Sequence, residues 1–102
     1  MSRGKYVVRL LRAAEDDLTE IVTFIAADNV ASAEALATKF ETRLADLASH
    51  PQLGRVPNDE ELARLRYRYL IVENYLIFYT VEGWRVLIHR ILHGARDYKS
   101  LL

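Results

Sequence analysis

The chain has 102 residues, 51% hydrophobic and 27% charged, with 14 basic and 14 acidic side chains and no cysteine. These values predict one globular domain over residues 1–102 with a single core, and they exclude a disordered chain. The lack of Cys excludes disulfides, thiolate metal sites and Cys nucleophiles, and no apolar run approaches the roughly 18 residues of a membrane span.

The zero net charge conceals a segregation. Residues 1–12 carry four basic and no acidic side chains, residues 13–50 eight acidic and two basic, and residues 64–99 seven basic and three acidic. An acidic middle thus separates two basic parts, which suits a polar partner on the basic side. The N-terminal apolar run is interrupted by Arg9 and Arg12 and lacks a signal-peptide core, so a cytoplasmic protein is expected.

Tyr6–Leu11 is apolar apart from Arg9 and predicts a first strand. Ala13–Asp17 opens a helix with acidic residues in its first turn, where the macrodipole favours them. Ala14, Leu18, Ile21, Val22 and Ile25 then recur at helical spacing. Asp28-Asn29 marks a turn and a new N-cap. A second helix follows from about Val30 to Ser49, with Ala33, Leu36, Ala37, Phe40, Leu44, Leu47 and Ala48 on its apolar stripe. The short break between the stripes predicts an antiparallel helical hairpin.

His50-Pro51 ends the second helix, because the residue before Pro is pushed out of the α region. Pro51–Pro57 is a loop with Gly54 inside, and the polar Asn58–Ala63 reads as its continuation. Leu65–Ile71 alternates, with Leu65, Tyr67, Tyr69 and Ile71 on one face and Arg64, Arg66 and Arg68 on the other. Glu73-Asn74 turns this strand into Tyr75–Val81, and Gly83 sits at the reversal into Val86–Leu92. The expected fold is α+β: an N-terminal strand, an antiparallel helical hairpin, then a three-stranded antiparallel meander covered by the helices on one face. With the first strand beside the fourth, the expected sheet is wholly antiparallel.

The last hairpin delivers Arg90, His93, Arg96 and Asp97 to one end of the sheet. A metal site is not expected, since His89 and His93 would stand about 13 Å apart on a strand. No Ser-centred nucleophile motif and no Gly-rich phosphate loop is visible. Arg side chains with Tyr67, Tyr69, Tyr75, Tyr79 and Tyr98 can hold phosphates and stack bases, or pair with an acidic peptide.

The residues also resemble a known family. Ala14–Ile21, Phe24-Ile25-Ala26 followed by Asp28-Asn29, Leu47–Arg55, Tyr75–Tyr79 and the closing Ile91–Asp97 follow in order the pattern of the ParE/RelE superfamily of bacterial toxins, in its ParE-like branch. The resemblance implies the RelE/ParE-like fold and a plasmid-stabilisation toxin that poisons DNA gyrase by surface contact, with no cofactor, metal or chemistry of its own. It further implies a cognate antitoxin as partner in a toxin–antitoxin hetero-oligomer, no direct DNA binding without that antitoxin, and no membrane partner. Target contact then falls on Arg90, His93, Arg96 and Asp97.

The alternative is a ribosome-dependent mRNA endoribonuclease of RelE type, using Arg66, Arg68, Arg90, His93, Arg96 and Tyr98. Many such nucleases carry an Arg after the first Tyr of the third strand, and here that position is Leu76, which donates no hydrogen bond. A third reading is a non-toxic relic that still binds an antitoxin. Leu101 and Leu102 are apolar at a chain end, so they are expected to dock on the domain or on a partner.

Overall fold

The computed structural model describes residues 5–94 and 98–102. In chain order it contains β1 (Val7–Leu10), α1 (Arg12–Ala26), α2 (Val30–Ser49), the short α3 (Glu60–Arg64), β2 (Arg68–Val72), β3 (Tyr75–Glu82), β4 (Arg85–His93) and a 3₁₀ turn, Tyr98–Leu101. The strands form one sheet in the order β1-β4-β3-β2. The α+β architecture is therefore the expected one. Among the described residues, no helix is long and apolar enough to cross a membrane.

The sheet is mixed, which corrects the expectation of an antiparallel one. β1 lies beside β4 but runs parallel to it, with Val7 opposite Arg85 and Leu10 opposite Ile88. The reason is the parity of the connections. α2 returns the chain to the end at which β1 starts, where the Tyr6 N–H donates to the Ala48 carbonyl at 2.7 Å. β2 therefore leaves in the direction of β1, and two hairpin reversals restore that direction in β4.

The helical hairpin forms where its stripes and caps place it. Asn29 caps α2 by accepting the Ser32 N–H at 2.9 Å. Ala14, Leu36, Phe40 and Leu47 pack on Leu70, Val72, Ile77 and Tyr79 to make the main core. The two meander turns each use two residues, between Val72 and Tyr75 and between Glu82 and Arg85. Gly83 takes φ 60 in the second, as a tight hairpin turn requires. Glu73 takes φ 55 in the first although it is not glycine, and it pairs with Lys39 of α2.

Two local readings are corrected. Asn58–Ala63 is not all loop: Glu60–Arg64 is α3, capped by Asp59, whose carboxylate accepts the Leu62 N–H at 3.0 Å. Nor do Arg64, Arg66 and Arg68 share a strand face. Arg64 ends α3, and Arg66 sits at φ 69 just beyond it. The Tyr67 N–H donates to the Leu62 carbonyl and the Arg66 N–H to the Ala63 carbonyl, both at 3.0 Å, which closes the helix as a Schellman motif. The strand begins only at Arg68, and its buried face is Leu70 and Val72, leaving Ile71 exposed. Helix and cap thus occupy the first half of the apparent strand, and of the expected alternation only Arg68–Ile71 lies on β2.

β4 carries a bulge. Tyr79 pairs with Ile88 and Phe78 with Arg90, so His89 is an extra residue. Simple alternation would send Ile88 and Ile91 to opposite faces. The bulge resets the phase and lets both enter the main core, while His89 reaches Thr80 and Tyr67.

Candidate functional site

The loop after α2 is built around one phenol. The Gly54 N–H donates to the Tyr79 hydroxyl at 2.7 Å, and that hydroxyl donates to the Pro51 carbonyl at 2.8 Å. Arg68 adds a second tie, its Nη1 donating to the carbonyls of Gly54 at 2.8 Å and Gln52 at 3.3 Å. Arg55 bridges to Tyr69 through two backbone hydrogen bonds of 2.9 Å, which occupies part of the outer edge of β2. Burial raises the Tyr79 pKa above the ordinary phenol value, opposed by the Gly54 N–H and the Arg68 charge.

Beside this loop lies a cleft of about 240 Å³, whose lining includes Gln52, Arg66, Tyr67 and Arg68. Behind it runs a short polar chain. The Tyr67 hydroxyl stands 3.4 Å from His89 Nδ1, and the Thr80 hydroxyl 2.9 Å from His89 Nε2. Burial holds the imidazole below its ordinary pKa, partly offset by Glu82, so His89 is neutral at pH 7. Burial also raises the Tyr67 pKa.

Arg90 is engaged elsewhere. Its Nε and Nη2 donate to the two carboxylate oxygens of Asp17 at 2.7 and 2.9 Å, and its Nη1 donates to the Leu101 carbonyl at 3.2 Å. Asp17 also accepts the Ile91 N–H at 2.9 Å. One carboxylate thereby closes the edge of β4 beyond the end of β1 and fixes the guanidinium. The bonds to Asp17 raise the Arg90 pKa further.

The other expected residues are spread out. His93 meets the Tyr75 ring at 5.6 Å, edge to face, and Tyr75 in turn packs on Phe40 of α2. Tyr98 lies over Phe78 with ring centroids 4.9 Å apart. Lys99 pairs with Asp59 at 2.9 Å, and Leu101 and Leu102 are half-buried, so the chain end docks back on the domain. Arg96 and Asp97 lie outside the described residues. Arg66 and Arg68 come together at the cleft, whereas Arg90 and His93, though three residues apart, contact different elements.

Sequence reasoning missed Asp17, His89 and Gly54 as determinants. Asp17 read as one acid among three in a helix start, and nothing in sequence spacing links it to Arg90. A visible signal existed for α3, in the Asp59-Glu60-Glu61 run, an N-cap followed by first-turn acids.

A helical hairpin on one face of a four-stranded sheet, with its loop and C-terminal turn tied to the strands, defines the class as a small α+β domain. The model of the ParE toxin of type II toxin–antitoxin systems, parDE, matches residues 8–98, and the chain belongs to that family. Among solved structures it is similar to the chromosomal ParDE toxin–antitoxin system from P. aeruginosa, with a TM-score of 0.71 and 18% identity, covering 88% of this chain and 97% of that one. It is also similar to the toxin–antitoxin complex RelBE2 from Mycobacterium tuberculosis, with a TM-score of 0.62 and 25% identity, covering 87% and 98% respectively. No curated protein sequence gives a significant match.

Proposed function

We propose that this toxin inhibits DNA gyrase by surface contact, acts in the cytoplasm, and is neutralised by a cognate antitoxin. The observation that carries this reading is the engagement of Arg90 by Asp17 and Leu101, away from the cleft where Arg66 and Arg68 meet. Cleavage by an RNA 2′-hydroxyl builds charge on phosphate and requires convergent, unspent donors. Arg90 is committed to Asp17 and Leu101, and Arg68 donates to two loop carbonyls. Leu76 pairs with Leu92 where a nuclease would place an Arg. A protein-binding poison needs only a complementary surface, which we assign to His93, Arg96 and Asp97, with Arg90 as a positioning residue. The antitoxin is supported by the family, whose members are toxins of type II toxin–antitoxin systems, and by the relative RelBE2, a toxin–antitoxin complex.

The RelE-type nuclease is the second reading, favoured by the likeness to RelBE2. One experiment separates the two. Purified toxin is added to a gyrase supercoiling assay and to translating ribosomes in parallel. Loss of supercoiling with intact mRNA is expected. Discrete mRNA cleavage in the ribosomal A site with normal supercoiling would reverse the assignment.

A further inference from the structure

We propose that the cleft between the Pro51–Arg55 loop and the end of α3 binds a single phosphate group, held by Arg66 and Arg68.

The first observation is backbone conformation. Arg66 occupies the left-handed position after α3 at φ 69, closed by both hydrogen bonds of the Schellman motif. Glycine fills this position without steric cost, and a residue bearing a Cβ is strained there. A strained conformation in which glycine would serve the fold better points to a use for the side chain.

The second observation is where that side chain goes. Arg66 lines the cleft and, among the described residues, its guanidinium makes no hydrogen bond or ion pair. Arg68 lines the same cleft, and its orientation is fixed by the carbonyls of Gly54 and Gln52. A guanidinium already held in place loses less freedom on binding than a mobile one. No acidic side chain is among the described lining residues, so nothing there neutralises the pair.

Size and charge select the ligand. The volume of about 240 Å³ is below the roughly 300–1,000 Å³ of sites that enclose a whole small molecule. It admits one tetrahedral anion and part of the group that carries it. Two guanidinium groups favour a phosphate, which accepts several charge-assisted bonds, over a monovalent anion. Gyrase inhibition by surface contact requires no such ligand, so this site stands independently of the proposed target.

The test uses the purified full chain and two variants. Inorganic phosphate is titrated by calorimetry and NMR at low ionic strength, with chloride as control. Arg66→Gly should raise the melting temperature, because it relieves the backbone, and should weaken phosphate binding by about tenfold or more, as expected for loss of a charged donor. Arg66→Gln keeps the Cβ and removes the charge; it should weaken binding equally and leave the melting temperature near that of the parent. A 5′-mononucleotide and an oligonucleotide without terminal phosphates then distinguish the sources. Tighter binding of the former indicates a terminal phosphate, and of the latter a backbone phosphodiester. Absence of saturable phosphate binding, or binding of unchanged affinity in both Arg66 variants, would overturn the proposal.

Discussion

The Tyr79 hydroxyl and the Gly54 backbone approach too closely for a Cβ at position 54 to be accommodated without displacement. The N–H to O distance is 2.7 Å, and a Cβ on Gly54 would stand 2.6 Å from that oxygen, 2.7 Å from the ring and 2.9 Å from the Tyr69 carbonyl. Glycine is required here for close approach, and the phenol in turn satisfies the Gly54 N–H and the Pro51 carbonyl. The loop therefore takes its shape from the centre of β3.

Tyr79→Phe should cost about 1–3 kcal/mol, the range for leaving buried backbone groups without partners. Gly54→Ala should be destabilising in the parent and remain so in Tyr79→Phe, because the ring carbon and the Tyr69 carbonyl still obstruct the methyl group. Urea unfolding of the two single variants and the double variant measures both effects. Full rescue of Gly54→Ala by Tyr79→Phe would show that the hydroxyl alone sets the constraint.

A second clasp ties α1 to β4. Asp17 and Arg90 side chains are 13% and 21% exposed, so their ion pair is largely shielded from water. Asp17→Ala leaves an uncompensated guanidinium and an unpartnered Ile91 N–H, and should cost about 3–5 kcal/mol. The double variant Asp17→Leu with Arg90→Met should recover part of this loss, since an apolar pair of similar volume removes the unpaired charge. Equilibrium unfolding of this double variant and of its two component single variants gives the coupling energy, and a value near zero would mean that the bidentate pair contributes nothing beyond its separate groups.

The outline of the fold was legible in the sequence because its signals are local. The stripes from Ala14 to Ile25 and from Ala33 to Ala48, the cap at Asn29, Pro51 and the turn at Gly83 each act within a few residues. Strand direction was not legible, because it depends on where α2 returns the chain, and Tyr6 meets Ala48 only in the folded state. The start of β2 was not legible because Leu65, Tyr67, Tyr69 and Ile71 alternate with arginines through a helix end, a left-handed cap and a strand alike. At the candidate site, the types of residue were visible but their partners were not. Arg90 and Asp17 are 73 residues apart, and Gly54 and Tyr79 are 25 apart.

The chain end should contribute measurably to stability. Deleting Lys99–Leu102 removes the Lys99–Asp59 pair, the Leu101 carbonyl that accepts from Arg90, and two half-buried leucines. The exposed lysine pair is worth little, so most of the effect comes from the leucines and from Arg90. A loss of about 1–2 kcal/mol is expected from partial burial of two leucines, and each kcal/mol lowers the melting temperature by about 4–8 °C in a domain near this size. Differential scanning calorimetry reads the shift. An unchanged melting temperature would place the role of these residues in partner binding alone.

His89 should make the toxin less stable in acid. Burial lowers its pKa in the folded state below the ordinary imidazole value of about 6.5. The unfolded chain therefore takes up a proton more readily than the native one, and linkage favours unfolding as protons are added. The contribution of neutral His89 is complete above about pH 6.5 and is lost as the pH falls from there toward the lower folded value. The groups packed around the ring are the hydroxyls of Tyr67 and Thr80, with Glu82 opposing the shift. Urea midpoints compared at pH 7.5 and 5.5 should fall in the parent. His89→Gln keeps polar contacts to both hydroxyls but does not titrate, so its midpoint should change less between the two pH values. Equal acid sensitivity in parent and variant would move the origin of the effect away from His89.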